Sequence, residues 1–205
     1  MSGMVVVGVT QRALPPTLEQ GERRDALDIR WHQFLDRIGA ICLPLPNEPA
    51  LALRHVAYFG VTALVFSGGE AIGRCAGQSP ARDATEATLL RWALAGAVPV
   101  LGVCRGMQFL VDHYGGDLVR VDGHLGVDHE FAVAGVVREV RCHHRWGARA
   151  VPAEFEALAE VDGVVEHVAH RSHALTGIMW HPERRSAFDD RDLRLVARAL
   201  GLAGR

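Results

Sequence analysis

The sequence predicts an α/β protein built on a doubly wound, mostly parallel sheet with helices on both faces. Two features of the 205-residue chain point there. Short apolar runs recur through the first half, the mark of strands buried on both faces. Segments with apolar residues at helical spacing separate them, and such β-α-β-α alternation produces a parallel sheet with crossover helices.

Met4 to Val9 is a β-branched run that ends at Thr10-Gln11-Arg12, a good first strand. Pro15-Pro16 breaks the chain, and the polar stretch to about Arg24 reads as a loop. From Asp25, the spacing of Leu27, Ile29, Trp31, Phe34, Leu35 and Ile38 predicts an amphipathic helix stopped by Gly39. Ala40 to Leu43 is a second strand, Leu51 to Phe59 a helix, and Val61 to Phe66 a third strand ending at Ser67-Gly68-Gly69. Ala81 to Ala97 follows as a helix with Asp83 and Glu86 near its start, the end that favours acids. Val98 to Val103 is the fourth strand, and Met107 to Tyr114 continues as a helix closed by Gly115-Gly116.

The second half reads differently. Val133 to Val140, Val164 to Ala169 and Leu175 to Trp180 are short strands among turn-like segments, so antiparallel hairpins are expected there. Asp190 to Leu200 is a closing helix. There is no repeat or linker, so residues 1–205 are expected to form one domain, flavodoxin-like with added hairpins.

Composition narrows the function classes. Hydrophobic residues at 49% and charged residues at 22% describe a globular chain rather than a disordered one. A net charge of −2, with no basic block, gives no reason to expect nucleic acid as a partner. The N-terminal apolar run is too short for a signal peptide or a membrane span. Cys42, Cys75, Cys104 and Cys142 are widely spaced with no Cys-x-x-Cys, which argues against a disulfide framework or a structural zinc site and fits a reducing compartment. A soluble, cytoplasmic protein without membrane association is expected. Oligomeric state stays open, a homodimer included.

The chemistry concentrates at Gly102-Val103-Cys104-Arg105-Gly106. A strand that turns sharply into a helix through a cysteine between glycines is a nucleophile elbow in which Cys replaces Ser. The glycines permit the tight turn, and the helix N-terminus beneath the sulfur favours its thiolate. The bland alternative is a buried small residue, as most free cysteines are. A thiol nucleophile needs an imidazole, and His181 stands at the end of another strand. Glu183, two residues on in a proline-stiffened segment, is the carboxylate to fix its tautomer.

Gly102-Val103-Cys104-Arg105-Gly106-Met107-Gln108 resembles the Gly-x-Cys-x-Gly-x-Gln signature of the class I glutamine amidotransferases. Trp180-His181-Pro182-Glu183 is similar to that family's closing motif, 77 residues beyond Cys104, and Ser67-Gly68-Gly69 to its oxyanion loop. The resemblance implies a Cys104-His181-Glu183 triad that cleaves a γ-glutamyl amide through a thioester, without a cofactor. It implies oxyanion donors at Gly69, in the loop with Gly68, and at the backbone of Arg105, and a glutamyl contact from Gln108. The opening Gly8-Val9-Thr10-Gln11-Arg12 and the motifs around it resemble the free-standing γ-glutamyl hydrolase branch, which includes enzymes acting on γ-glutamyl-aminobutyrate and on γ-glutamyl nucleotide amidates. The partner is then a small-molecule γ-glutamyl substrate. The alternative is a glutaminase subunit that supplies ammonia to a partner synthase. Such subunits more often carry a small or apolar residue after the cysteine, so Arg105 weighs against it.

His124, His129, His143 and His144 crowd one region, but none of them form a His-x-x-x-His pair and no cysteine pair supports them, so no metal is assigned. By resemblance that region borders the glutamyl pocket, which makes His143, His144 and Arg145 candidates for substrate contacts, with a solvated turn as the alternative. Glu22-Arg23-Arg24-Asp25 is a charge run at the predicted helix start; it reads as a solvated face or as a contact for an anionic leaving group.

Overall fold

The structure is a computed structural model that describes residues 5–15, 21–133, 136–185 and 187–203. In chain order it comprises β1 (Val5–Thr10), β2 (Arg12–Leu14), β3 (Arg24–Ala26), α1 (Ile29–Arg37), β4 (Ala40–Leu45), α2 (Pro49–Tyr58), β5 (Ala63–Phe66), α3 (Pro80–Ala95) and β6 (Val100–Val103). There follow α4 (Arg105–His113), β7 (Val119–Arg120), β8 (Leu125–Val133), β9 (Val136–His143), β10 (Trp146–Gly147), β11 (Phe155–Val161), β12 (Val164–His170), β13 (Leu175–Ile178) and α5 (Asp190–Ala199). Among the described residues no helix is long and apolar enough to cross a membrane.

Seven strands form the central sheet in the order β11-β12-β13-β6-β5-β1-β4. The five from β13 to β4 run parallel, and β12 and β11 extend that edge antiparallel. Alternation along each strand divides the core. Leu64, Phe66 and Val100 face one layer with α2, α3 and α4, whereas Ala63, Val65, Leu101 and Val103 face the other with Trp31, Phe34 and Leu35 of α1 and Leu193 and Val196 of α5. The fold is the mostly parallel, flavodoxin-like α/β architecture with added hairpins that the alternation predicts.

The register between two of these strands positions the site. Gly177 lies beside Gly102 and Ile178 beside Val103, so both strands end together at the carboxyl edge of the sheet. Ligands bind at that edge in open α/β sheets.

Several segments differ from expectation. Within 12–26, β2 and β3 pair antiparallel, where the sequence predicts a loop and a helix start; residues 16–20 lie outside the described ones, as does Met4 of the first predicted strand. Helix α1 begins only after Asp28, whose carboxylate accepts the Arg30 N–H at 3.0 Å and so caps it. The charge run from Glu22 to Asp25 therefore leads into β3 rather than a helix. The predicted strand from Val133 to Val140 is divided between β8 and β9, with Val133 paired to Val136; residues 134–135 lie outside the described ones. β11 is a strand that the sequence does not announce, because its register shifts between Ala157 and Glu160 break the period-2 pattern.

Candidate active site

Cys104 is the single residue between β6 and α4, with φ 51° and ψ −102°. A side chain in that region costs about 1–3 kcal/mol and persists only where the surroundings over-determine it. Here the Cys104 N–H donates to the Ile178 carbonyl at 2.7 Å, and its carbonyl accepts the Gln108 N–H at 3.0 Å. The flanking glycines are steric requirements. A Cβ on Gly102 would lie 2.6 Å from the Gly106 backbone, and one on Gly106 would lie 2.0 Å from the Phe66 carbonyl oxygen. Without them α4 has no room to dock against the sheet.

On the neighbouring strand, the chain leaves Ile178 through Met179 and Trp180 to His181, and Glu183 follows in a single 3-10 turn. The Trp180 indole N–H donates to Asp192 of α5 at 3.0 Å, which fixes the strand exit. His181 Nδ1 lies 2.7 Å from Glu183 Oε1, and both residues are buried. The same imidazole interacts with the Cys104 sulfur. The structure thus brings Cys104, His181 and Glu183 together, as the motifs predict.

Electrostatics distinguish this cysteine from the others. Burial pushes the Cys104 thiol up, but the charge of His181 and its hydrogen bond outweigh burial, and the thiol ends below its ordinary value. Burial alone raises Cys42 to about 12; it raises Cys75 to about 11, with Asp112 adding to it. Cys142 is pushed up too, by burial and then by Glu166. For His181, burial disfavours the imidazolium, yet Glu183 and Cys104 more than offset it and raise the group to about 9. A thiolate–imidazolium pair is the state this geometry favours.

A buried ionic network lies behind the glycine loop, and sequence reasoning missed it. Arg82, fully buried, donates to the Ser67 carbonyl at 2.6 Å and the Gly68 carbonyl at 3.3 Å. It also bonds Glu86 at 3.1 Å, one helical turn away on α3. Glu86 in turn accepts the Thr10 hydroxyl at 2.8 Å and pairs with Arg105. The acids predicted to serve the helix terminus instead hold arginines: Arg105 also pairs with Asp83. In the sequence Arg82 and Glu86 read as an i,i+4 pair of the ordinary surface kind, and only tertiary packing marks them as buried.

This placement alters one inference from sequence. The Arg105 side chain is spent on α3, so its identity does not discriminate a hydrolase from an ammonia donor. Its backbone N–H belongs to the first turn of α4, where helix donors have no intrahelical partner. Gly68 faces the imidazole so closely that a Cβ would sit 2.3 Å from His181 Cε1. Gly68→Ala is expected to push that ring away from Cys104 and so slow alkylation of its thiol at neutral pH, with little change in the melting temperature. An alkylation rate equal to the parent's would refute this.

The remaining predicted contacts separate. His143 lines a cleft of about 620 Å³ beside His181, with Asp128, Arg141, Trp180 and Arg184. A second recess of about 300 Å³, lined by Arg12, Trp31, Ser67 and Gly68, reaches His181 and Glu183 from the other side. His144, by contrast, is buried away from the cleft, with Nδ1 3.1 Å from the Trp146 carbonyl and Nε2 3.1 Å from Glu166. Both of its ring nitrogens face protein groups of the interior. The Gln108 amide donates to the Trp146 carbonyl at 2.8 Å, which ties α4 to the segment that carries these histidines.

Comparison with known proteins places these features in company. The Peptidase C26 family model matches residues 5–183. A γ-glutamyl-CDP-amidate hydrolase of Campylobacter jejuni is 23% identical over 188 residues, which cover 90% of this chain and 92% of that one. A Mycobacterium tuberculosis protein named as a glutamine amidotransferase is 33% identical over 151 residues, 62% of this chain. The match spans about half, 48%, of the length of that relative. A Thermoplasma acidophilum crystal structure described as one subunit of a GMP synthase superposes with a TM-score of 0.70 over 98% of this chain and 95% of its own, at 17% identity.

Proposed function

Since the chain belongs to the Peptidase C26 family, whose members are class I glutamine amidotransferase-like, we propose that it hydrolyses a γ-glutamyl amide through a thioester on Cys104. The observation that carries this reading is the strained cysteine beside an imidazole held at 2.7 Å by a buried carboxylate. The match to a γ-glutamyl amidate hydrolase over nearly the full length of both chains supports it.

In this reading the Cys104 thiolate attacks the γ-carbonyl carbon, and charge moves onto the carbonyl oxygen. Backbone N–H groups of Arg105 and Gly69 take up that charge; one such donor is worth about a hundredfold or more in rate. Protonated His181 gives its proton to the departing nitrogen as the C–N bond breaks, leaving the acyl thioester. Neutral His181 then takes a proton from water as the water attacks the thioester. Glutamate leaves, the sulfur departs as thiolate, and the protonated imidazole is restored. Glu183 holds the ring in one orientation and stabilises its charge throughout. Residues 1–205 act as one such domain, without a cofactor.

The pH dependence follows from the pair. Activity needs the thiolate and the imidazolium together, so kcat/KM rises as the thiol ionises, below its ordinary value, and falls as His181 deprotonates at about 9. Glu183→Gln removes an anion that raises His181, so the alkaline limb should move to lower pH while kcat/KM falls by about a hundredfold or more. An alkaline limb that stays in place would count against the assignment of Glu183.

The deciding experiment is a panel of substrates assayed for glutamate release: free glutamine, alkyl γ-glutamyl amides and a γ-glutamyl nucleotide amidate. Arg30, Arg141, Arg184 and Arg185 on the cleft wall favour a leaving group that carries negative charge, against Asp128, Glu139 and Asp192 on the same wall. Turnover of a substituted amide exceeding that of glutamine is expected. Turnover of glutamine alone, and only in the presence of a synthase, would overturn this in favour of an ammonia-supplying role.

A further inference from the structure

Behind the elbow, the hairpin β8–β9 meets the sheet edge through four side chains that the reaction does not use. His124 precedes β8, Cys142 lies in β9, His144 follows it, and Glu166 comes from β12. One ligand-type atom from each falls within 4.8 Å of every other, and all four residues are buried. Cys142 and His144 are two residues apart, the spacing that puts side chains on one face of an extended chain.

The pairings they make with one another are incomplete. His124 is 1% exposed, yet neither of its ring nitrogens has a hydrogen-bond partner. Its Nδ1 lies 3.2 Å from Glu166 Oε1, without the alignment of a hydrogen bond. The same Oε1 is approached by His144 Nε2 at 3.1 Å, while Cys142 Sγ lies 3.6 Å from Oε2. Three donor-type atoms therefore converge on one buried carboxylate. Orphaned buried imidazole nitrogens carry a desolvation cost that a ligand would remove.

We propose that His124, Cys142, His144 and Glu166 form a tetrahedral site for a divalent, zinc-class cation. The donor set of two imidazoles, a thiolate and a carboxylate is one that zinc accepts. A thiolate and a carboxylate balance the two positive charges, so the loaded site is neutral in a low-dielectric interior. Binding displaces the Cys142 thiol proton to solvent. His144 has its second nitrogen on the Trp146 carbonyl, the outer contact that orients a metal-bound histidine. With four protein donors and no open position the site is structural, pinning the hairpin whose other side lines the cleft through Asp128, Arg141 and His143.

Cobalt(II), titrated into the full-length chain, is the test, because a thiolate ligand gives it a charge-transfer absorption. Cys104→Ser is used as the background so that the elbow thiol cannot contribute. One cobalt per chain, with the thiolate band, displaced by one equivalent of zinc, is expected. Cys142→Ser should lose the band, and His124→Asn should weaken binding by at least about tenfold. Absence of the band in Cys104→Ser overturns the proposal whether or not the other variants fold. So does a band that survives Cys142→Ser in the same background.

Discussion

Cys104→Ala is expected to abolish glutamate release, lowering kcat/KM by about 10⁴-fold or more, while the fold survives. Removing the sulfur removes the nucleophile of the proposed acyl intermediate, and what remains is binding plus the oxyanion donors. Cys104→Ser should fare little better. Its hydroxyl ionises far less readily than a thiol, and the His181–Glu183 pair is tuned to hold a thiolate rather than to deprotonate an alcohol. The backbone bonds that hold the elbow, from Cys104 N–H to Ile178 and from Gln108 N–H to Cys104, are independent of the side chain. Melting within a few degrees of the parent is therefore expected alongside the loss of activity. Retained turnover by the alanine variant would sink the thioester reading. Failure of a glutamine-like chloroketone to label Cys104 in the parent would point to a binding module without catalysis.

The second large effect is on stability. Glu86→Ala leaves the buried guanidinium groups of Arg82 and Arg105 without the carboxylate between them, and strips the Thr10 hydroxyl of its acceptor. Removing one partner of a buried ionic set typically costs about 3–5 kcal/mol. Glu70 and Asp83 still pair with the two arginines, which puts the expected loss near about 3 kcal/mol. For a chain of this size that corresponds to a fall of about 6–12 °C in Tm. Activity should fall as well, because Arg82 holds the Ser67 and Gly68 carbonyls and Gly68 abuts His181. Calorimetry showing a Tm within about 2 °C of the parent would mean that the network contributes little.

The parallel core was legible because its strands are short, apolar and β-branched, and the elbow because its glycines bracket a single cysteine. His181 and Glu183 were legible as a motif. Their meeting with Cys104 depends on β13 pairing beside β6, a register set across more than seventy residues of chain that no local pattern encodes. The β2–β3 hairpin was missed because its strands are only three residues long and exposed, so neither periodicity nor hydrophobicity marks them. β11 was missed because bulges erase its alternation. The ionic network was missed for a different reason. Arg82, Glu86 and Arg105 look like ordinary helix-surface charges until tertiary packing buries them together.

That late-arriving partner strand has a consequence for how the protein comes into being. During synthesis the elbow emerges well before residues 175–183, and a domain generally folds as a unit. A nascent chain that ends short of β13 has no Ile178 carbonyl to hold the strained turn and no His181 to draw the proton from the sulfur. Such a chain lacks the contacts that hold the turn and lower the thiol. The reactive form arises only when the last strand inserts between β12 and β6, so the same pairing that completes the sheet also arms it.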